Sequence, residues 1–578
     1  MRNLFLTVIL FSVTLLYAQA PEIEWQKSLG GSSLDVAFSI QQTSDGGYIA
    51  AGYSYSNDGD VSGNHGESDY WVVKLDHIGN IQWEKSLGGS GYEGANSIQQ
   101  TTDGGYILAG WSDSNDGDIS GNHGSIDYWV VKLDDTGTIE WQKSIGGSGE
   151  DRAYSIQQTF DGGYITAGYS YSNNGDISGN HGASDYWVVK LDVTGTIEWQ
   201  KSLGGSGDEW AHSIQQTSDS GYIVAGGSFS NDGDVSGNHG YDDSWVVKLD
   251  DAGNIQWQKC LGGSGDEWVE SIQQTSDGGY IIAGTSTSSD GDVNGHHGSS
   301  DYWVVKLDDT GNIQWQKCLG GSASEFAFFI QRTSDGGYIV AGDSYSNDGD
   351  LSGNHGDYDS WVVKLDDIGN IEWQKCLGGR SDDGVNSIQQ TSDGGYIAAG
   401  YSRSNNSDVS GNHGNKDFWI VKLSEGPGIL SYEINTSSNP EEGGTTSGDG
   451  VFEYGTSVTV FAFANADYSF VNWTEDGTEV SNHAEYTFIA IENRNIVANF
   501  DYEMAVADIE NNRIKIYPNP VTGLLTIKGI SLKTELIITN TYGEIVFKTV
   551  AKNNELTIDV SELPAGIYFI NGQKFIKK

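Results

Sequence analysis

Three features of the sequence predict an all-β, seven-bladed β-propeller closed by its N-terminal strand and followed by two small β domains. Two tryptophan series step by 58 residues, each step holds four strand-like runs, and the repeat is cut so that its two ends complement each other. Repeated units of four short strands that cannot bury their faces alone are the mark of a propeller.

The first series is Trp25, Trp83, Trp141, Trp199, Trp257, Trp315 and Trp373; the second is Trp71, Trp129, Trp187, Trp245, Trp303, Trp361 and Trp419. In the first full copy the strand-like runs are Phe38 to Thr43, Tyr48 to Tyr53, Tyr70 to Asp76 and Ile81 to Leu87, here called a, b, c and d. Asp45-Gly46-Gly47 joins a to b and the turn around Gly79-Asn80 joins c to d, because glycine accepts the positive φ of a tight hairpin. The chain enters with a lone d strand, Ile23 to Leu29, and the last copy stops after strand c, Phe418 to Leu423, so the first strand can complete the last blade. Pairing them removes the exposed edges of an open array. The tryptophans of c and d are expected to pack between blades, since both faces of a blade sheet are covered.

Eighty Gly, 18 Trp and 30 Tyr against 6 Pro exclude a disordered chain, which would be poor in aromatics. Residues 513–578 hold 9 Lys/Arg against 5 Asp/Glu, a net +4 that leaves −54 on the rest. That acidic body argues against nucleic acid and anionic membrane as partners and favours cations or neutral ligands such as glycans. Residues 1–20 read as a signal peptide, with Arg2, an apolar run from Leu4 to Leu16 and the Ala18-Gln19-Ala20 cleavage site. No later run reaches the length of a transmembrane segment. Cys260, Cys318 and Cys376 stand where other copies have serine, and equivalent points on successive blades are too far apart for a disulfide.

In an up-and-down blade the d-to-a and b-to-c connections share one face, the long-loop face, where binding is expected. The b-to-c loop places oxygen-bearing residues, a glycine and a final carboxylate in the register of an EF-hand calcium loop. The residues are Asp58, Asp60, Ser62 and Asp69; Asp116, Asp118, Ser120 and Asp127; Asp232, Asp234, Ser236 and Asp243; Asp348, Asp350, Ser352 and Asp359; the other copies follow suit. Either these bind Ca²⁺, which would offset the repulsion among three carboxylates, or they form hydrogen-bonded turns. One His per loop, from His65 to His413, lacks the clustering of a zinc site and is expected to hydrogen-bond its own loop.

Where the copies disagree on a fixed frame, a ligand is the natural reason. At the entry to strand a they read Val36, Gly94, Arg152, Trp210, Trp268, Phe326 and Gly384, and two residues on Phe38, Asn96, Tyr154, His212, Glu270, Phe328 and Asn386. Arg152, Tyr154, Trp210, His212, Trp268, Glu270 and Phe326 are the candidate ligand-binding residues, for a sugar or peptide at the channel mouth, with ordinary rim packing as the alternative. A nucleophile elbow, a zinc motif, a phosphate-cradling loop and a sialidase-type Asp-box are all missing, and no catalytic residue is assigned.

Several segments resemble known families. Leu133-Asp134-Asp135-Thr136-Gly137-Thr138-Ile139-Glu140-Trp141 resembles the tryptophan-docking repeat of quinoprotein and related propellers, which supports the fold and implies nothing about a quinone. After the linker Glu425-Gly426-Pro427-Gly428, residues 429–501 carry Gly443-Gly444-Thr445, Phe470-Val471-Asn472-Trp473 and Ala498-Asn499-Phe500 and resemble the divergent internalin-type B-repeat, which implies a β-rich spacer or adhesive module. In residues 513–578, Tyr517-Pro518-Asn519-Pro520 and Pro564-Ala565-Gly566-Ile567-Tyr568 resemble the type A sorting domain of type IX secretion cargo. That resemblance implies the type IX machinery as a partner and a secreted or cell-surface location. The expected function is a secreted or surface-attached binding protein; the alternatives are an extracellular polysaccharide-active enzyme and a calcium-stiffened structural protein.

Overall fold

The computed structural model describes residues 20–426, 431–453, 456–491, 493–502 and 514–578; the expected signal peptide, apart from Ala20, and Pro427-Gly428 of the linker lie outside them. Residues up to 428 and those from 429 on form two compact units.

The first unit holds seven four-stranded antiparallel sheets in the order a-b-c-d. In the first blade strand a is Asp35–Gln42, b is Tyr48–Ser54, c is Asp69–Leu75 and d is Ile81–Leu87. The last sheet joins Asp383–Gln390, Tyr396–Ser402 and Asp417–Leu423 to the chain's first strand, Ile23–Leu29. In that pairing Trp25 stands opposite Lys422 and Leu29 opposite Phe418.

Strand c, Asp-Tyr-Trp-Val-Val-Lys-Leu in the first blade, is buried at all seven positions, so its apolar run needs no alternation. The Trp71 ring meets the Phe418 ring of the seventh blade at 4.5 Å, and residues of the seventh and first blades share one apolar cluster. Full burial of such a ring removes roughly 200 Å² of apolar surface, about 5 kcal/mol at most per tryptophan. The Trp25 ring lies edge-on to Tyr48 at 5.7 Å and against Gly79 in the next blade's c-to-d turn. Gly79 has φ +81°, and a Cβ there would stand 2.8 Å from the indole, so two demands select glycine. The same glycine–tryptophan contact links Gly137 to Trp83 and Gly195 to Trp141.

Strand a begins three residues before the run the pattern picked out. Asp35 pairs with Ser54, and the pairing shifts between Ala37 and Ser39, so Phe38 is the extra residue of a β-bulge. The bulge breaks the alternation that marks a strand. Beyond it, Ser39-Ile40-Gln41-Gln42 joins blades through side chains: Ile98 N donates to Ser39 Oγ at 3.3 Å, Gln100 N to Gln41 Oε1 at 2.6 Å, and Ser44 N to Gln100 Oε1 at 2.8 Å. The seam between blades seven and one repeats all three bonds, with Ile40 N on Ser387 Oγ, Gln42 N on Gln389 Oε1 and Ser392 N on Gln42 Oε1. Ser39, Gln41, Ser387, Gln389 and their counterparts line a central cavity of about 220 Å³. Cys260, Cys318 and Cys376 are buried and free, as their spacing predicts.

In the second unit, Ser431–Asn439 pairs in parallel with Arg494–Tyr502 within a five-stranded sheet, and a three-stranded sheet is built on Ser457–Ala464. Trp473, Phe500, Val460 and Ile434 are buried in their shared core. Residues 514–578 form a three-stranded and a four-stranded sheet around Leu525, Ile538, Tyr568 and Phe575. Asn519 ties the Tyr517-Pro518-Asn519-Pro520 turn to the final strand, accepting from Ile576 N at 2.9 Å and donating to Lys574 O at 3.1 Å. Tyr568 Oη donates to Pro564 O at 2.9 Å.

Candidate functional site: the long-loop face and channel mouth

Strand a enters from the long-loop face, so its bulge sits at that mouth of the channel. Several bulge residues reach across to the neighbouring blade. Asn96 Nδ2 donates to Ala153 O at 2.7 Å, the Tyr154 ring stacks on His212 at 4.8 Å, and His212 Nδ1 stands 2.6 Å from Glu270 Oε2. Asn386 Nδ2 donates to Ala37 O at 2.8 Å. His212 loses some proton affinity to burial, but the Glu270 carboxylate outweighs this and raises its pKa.

Four of the seven candidate residues, Arg152, Tyr154, His212 and Glu270, thus belong to one contact chain across blades three to five, Arg152 by way of Glu150 and of Tyr169, whose ring lies 5.9 Å from that of Tyr154. Arg152 extends it to blade two: its guanidinium lies 4.3 Å from the centre of the Trp111 ring, and its Nε is 2.7 Å from Glu150 Oε1. Tyr169 Oη also donates to Glu150 at 2.7 Å. Trp210 continues the surface through Tyr169, 6.4 Å away, and Phe229, 5.7 Å away. Trp268 joins at blade five, against Asp242. Phe326 stands apart in blade six, 6.3 Å from Tyr358.

The cross-strand partners explain how such different residues share one position. Gly94 lies opposite Trp111 and Gly384 opposite Tyr401, whereas Trp210 faces Gly227 and Trp268 faces Thr285. A Cβ on Gly94 or Gly384 would press within 3.0 Å of the partner ring, so bulk is traded across the pair. Reading single columns of the repeat misses Trp111, Tyr169, Glu150, Asp242 and Asp343. A comparison of columns a and b together would have found Trp111, Tyr169 and Asp343, which share one strand-b position.

Asp242 and Asp343 are the buried acids of this region. Asp242 fills the space beside Gly227 and is wholly enclosed; neither carboxylate oxygen makes a well-formed hydrogen bond, and the Trp268 indole N–H is the donor that acts on it. Burial pushes its pKa up to about 8. Asp343 is pushed to about 8 in the same way, although Val385 N donates to it at 3.2 Å and Tyr401 Oη at 3.4 Å.

The b-to-c loops do not gather their carboxylates around a common point. Asp58 Oδ1 accepts from Ser32 N at 2.7 Å, Asp60 Oδ2 from Gly30 N at 3.3 Å, and Ser62 Oγ donates to Glu84 at 2.5 Å. The buried Asp69 accepts from His65 N at 3.1 Å and sits 2.6 Å from His65 Nδ1. The partners recur: Asp116 with Ser90, Asp118 with Gly88, Ser120 with Gln142, Asp127 with His123; Asp232 with Ser206, Asp234 with Gly204, Ser236 with Gln258, Asp243 with His239. Asp348, Asp350, Ser352 and Asp359 meet Ser322, Gly320, Gln374 and His355. Asn174 and Asn406 accept the same backbone N–H as Asp58 does, so the position needs an acceptor rather than a charge. Among the described residues no group of three or more His, Cys, Asp or Glu could hold a metal. In this arrangement the oxygens of the EF-hand register act as loop staples, each turned to its own backbone or side-chain partner.

The staples also explain the Gly-Gly pair after strand d. A Cβ on Gly31 would stand 2.2 Å from Asp58 Oδ1, and one on Gly88 would meet both Glu93 Oε2 and Asp69 Oδ1 within 2.7 Å. Two buried acids from adjacent blades thus face each seam, and desolvation raises the pKa of both Asp69 and Glu93.

Residues 515–577 match the family described as secretion system C-terminal sorting domain, and residues 434–504 match the divergent InlB B-repeat domain. The chain carries the type IX sorting signal. It is cargo exported to the cell surface or the extracellular space, and its sorting domain engages that machinery. Regulatory protein FlaEY of Caulobacter vibrioides is 27% identical over 239 residues, which cover 37% of this chain and 25% of that relative's length. Among solved structures, BamB from Moraxella catarrhalis is 12% identical over 70% of this chain and 99% of its own, with a TM-score of 0.34. The Neurospora crassa Pan2 WD40 domain is 10% identical over 70% and 97%, with a TM-score of 0.40. The propeller assignment rests on the sheet order above. No described helix is long and apolar enough to cross a membrane.

Proposed function

We propose that the exported chain is a recognition protein that binds an extracellular glycan or protein through the long-loop face of its propeller. The observation that carries this reading is the contact chain Trp111–Arg152–Glu150–Tyr169–Tyr154–His212–Glu270. It joins residues that differ from copy to copy on a frame whose other positions barely change. Exposed rings on the same face, Tyr55, Tyr92, Tyr171, Phe229, Tyr241 and Tyr345, add flat surface for a sugar or side chain. The B-repeat module would serve as a spacer between that face and the sorting domain.

The experiment is a binding screen of the mature chain on glycan and peptide arrays, with Trp210→Ala and Tyr154→Ala as rim variants and Phe160→Ala as a control. Phe160 is 73% exposed in an a-to-b turn, on the opposite face. Saturable binding lost in the rim variants and kept in the control supports the reading. Binding lost only in Phe160→Ala, or no ligand at all, overturns it.

A further inference from the structure

We infer that the seam between the fourth and fifth blades recognises the ammonium group of a lysine side chain on a partner protein; this rests on, and narrows, the long-loop-face reading. The molecule itself supplies the comparison. At the seam between blades two and three, the Arg152 guanidinium lies over Trp111 and beside Glu150. In blade seven, Lys416 Nζ lies 3.4 Å from the centre of the Tyr401 ring, with Asp343 and Asp382 acting on its charge. Both places combine an aromatic face with carboxylates, and both are filled by a basic side chain of the chain's own.

The fourth-to-fifth seam has the same ingredients in a different balance. Asp242 occupies the repeat position of Lys416; Trp268 and Asp266 act on it, and Glu270 is tied to it through His212. The basic group acting on Asp242 is His212, which is already held by Glu270 at 2.6 Å. Glu270 and His212 keep 27% and 22% of their side-chain surface open at the channel mouth, while Asp242 is enclosed and neither of its oxygens makes a well-formed hydrogen bond. A buried carboxylate is costly unless a charge and full hydrogen bonding compensate it. An incoming ammonium supplies both, drawn by the half-open Glu270 and by Asp266 towards Asp242 beside Trp268. Lysine fits better than an amino sugar because the two internal occupants are protein side chains, and because a lysine stays charged at a pH where Asp242, pushed to about 8, is ionised.

The test uses the mature chain and a capped Gly-Gly-Lys-Gly-Gly peptide, its acetyl-lysine counterpart and an amine-bearing chito-oligosaccharide as probes. Binding is read by ligand-observed NMR and calorimetry, with Tm recorded for every variant. The expected result is binding of the lysine peptide, a loss of roughly tenfold or more on acetylation, and a similar loss in Glu270→Gln. Asp242→Lys places an internal ammonium where Lys416 has one and should abolish binding without lowering Tm; Asp242→Asn should remove the gain in affinity expected between pH 6 and pH 9. That gain follows Asp242, which acquires its charge over that range. Equal binding of both peptides, or binding of the oligosaccharide alone, overturns the lysine assignment and leaves recognition by the long-loop face standing. Retained affinity in folded Asp242→Lys also overturns it, and loss of all binding on every array removes both readings together.

Discussion

The two halves of strand a make opposite use of the same scaffold. The second half, Ser39-Ile40-Gln41-Gln42 in the first blade, is nearly uniform and bonds each blade to the next through side chains that accept backbone N–H groups. The first half, at positions 36 and 38, carries glycine, arginine, tryptophan, histidine, glutamate or phenylalanine, and its contacts are among side chains at the mouth. A seam must satisfy a fixed set of buried donors, which only a few residues can do. The bulge frees position 38 from that duty, because the extra residue has no ladder partner, and position 36 answers only to its cross-strand neighbour. Uniformity therefore marks assembly, and variety marks the part released from it.

The harshest way to break the uniform half is to remove Ile23–Leu29. This leaves Asp417–Leu423 an open edge, takes Gln26 away from Trp419 Nε1, and uncovers the cluster shared by the first and last blades. The truncated protein should fail to give a cooperative melt, or melt more than about 10 °C lower. A melt unchanged from the full chain would break the claim that the first strand completes the ring.

The acids come next. Asp242 and Asp343 have pKa values raised to about 8 from a usual 3.8, so their protonated forms favour the folded state. That contribution is fully present below about pH 4 and is lost as pH rises through 8, up to about 5 kcal/mol for each group. Tm should therefore fall between pH 6 and pH 9, and Asp242→Asn with Asp343→Asn should flatten the fall. A wild-type Tm that rises over that interval would contradict the burial of both groups.

Within strand a the contrast is direct. Gln215→Ala removes the acceptor of Gln274 N, bonded at 2.6 Å, and should cost about 1–3 kcal/mol in chemical denaturation. Trp210→Ala, at the half-exposed rim, should cost less than that while removing ligand binding. If the order is reversed, the division of the strand fails. The smallest expected effect belongs to calcium: millimolar Ca²⁺ and excess chelator should give the same Tm within about 1 °C, since Asp58, Asp60 and Asp69 already have their donors. A large calcium-dependent rise would restore the cage that the loop spacing suggested.

The repeat made the blades legible because 58-residue spacing, hairpin glycines and complementary ends are all one-dimensional signals. It also exposed the rim, since Arg152, Tyr154, His212 and Glu270 stood out as departures from a fixed frame. What it hid depends on pairing across strands and seams. The calcium-like register of Asp58, Asp60, Ser62 and Asp69 is correct as spacing, yet each oxygen turns to a different backbone or side-chain partner. Strand a was read three residues short because the bulge at Phe38 breaks the alternation. The exchange of bulk between Gly94 and Trp111, and the burial of Asp242 beside Gly227, become visible only when positions 36, 53 and 68 of the repeat are read together.

The central claim is that the first half of strand a, in blades three to five, is the recognition surface. Hydrogen–deuterium exchange with and without a ligand from the arrays tests it most directly. Protection should concentrate in residues 150–154, 208–212 and 266–270 and spare 157–163 and 215–221 on the opposite face. Protection confined to the opposite face, or none in the propeller, would contradict the account.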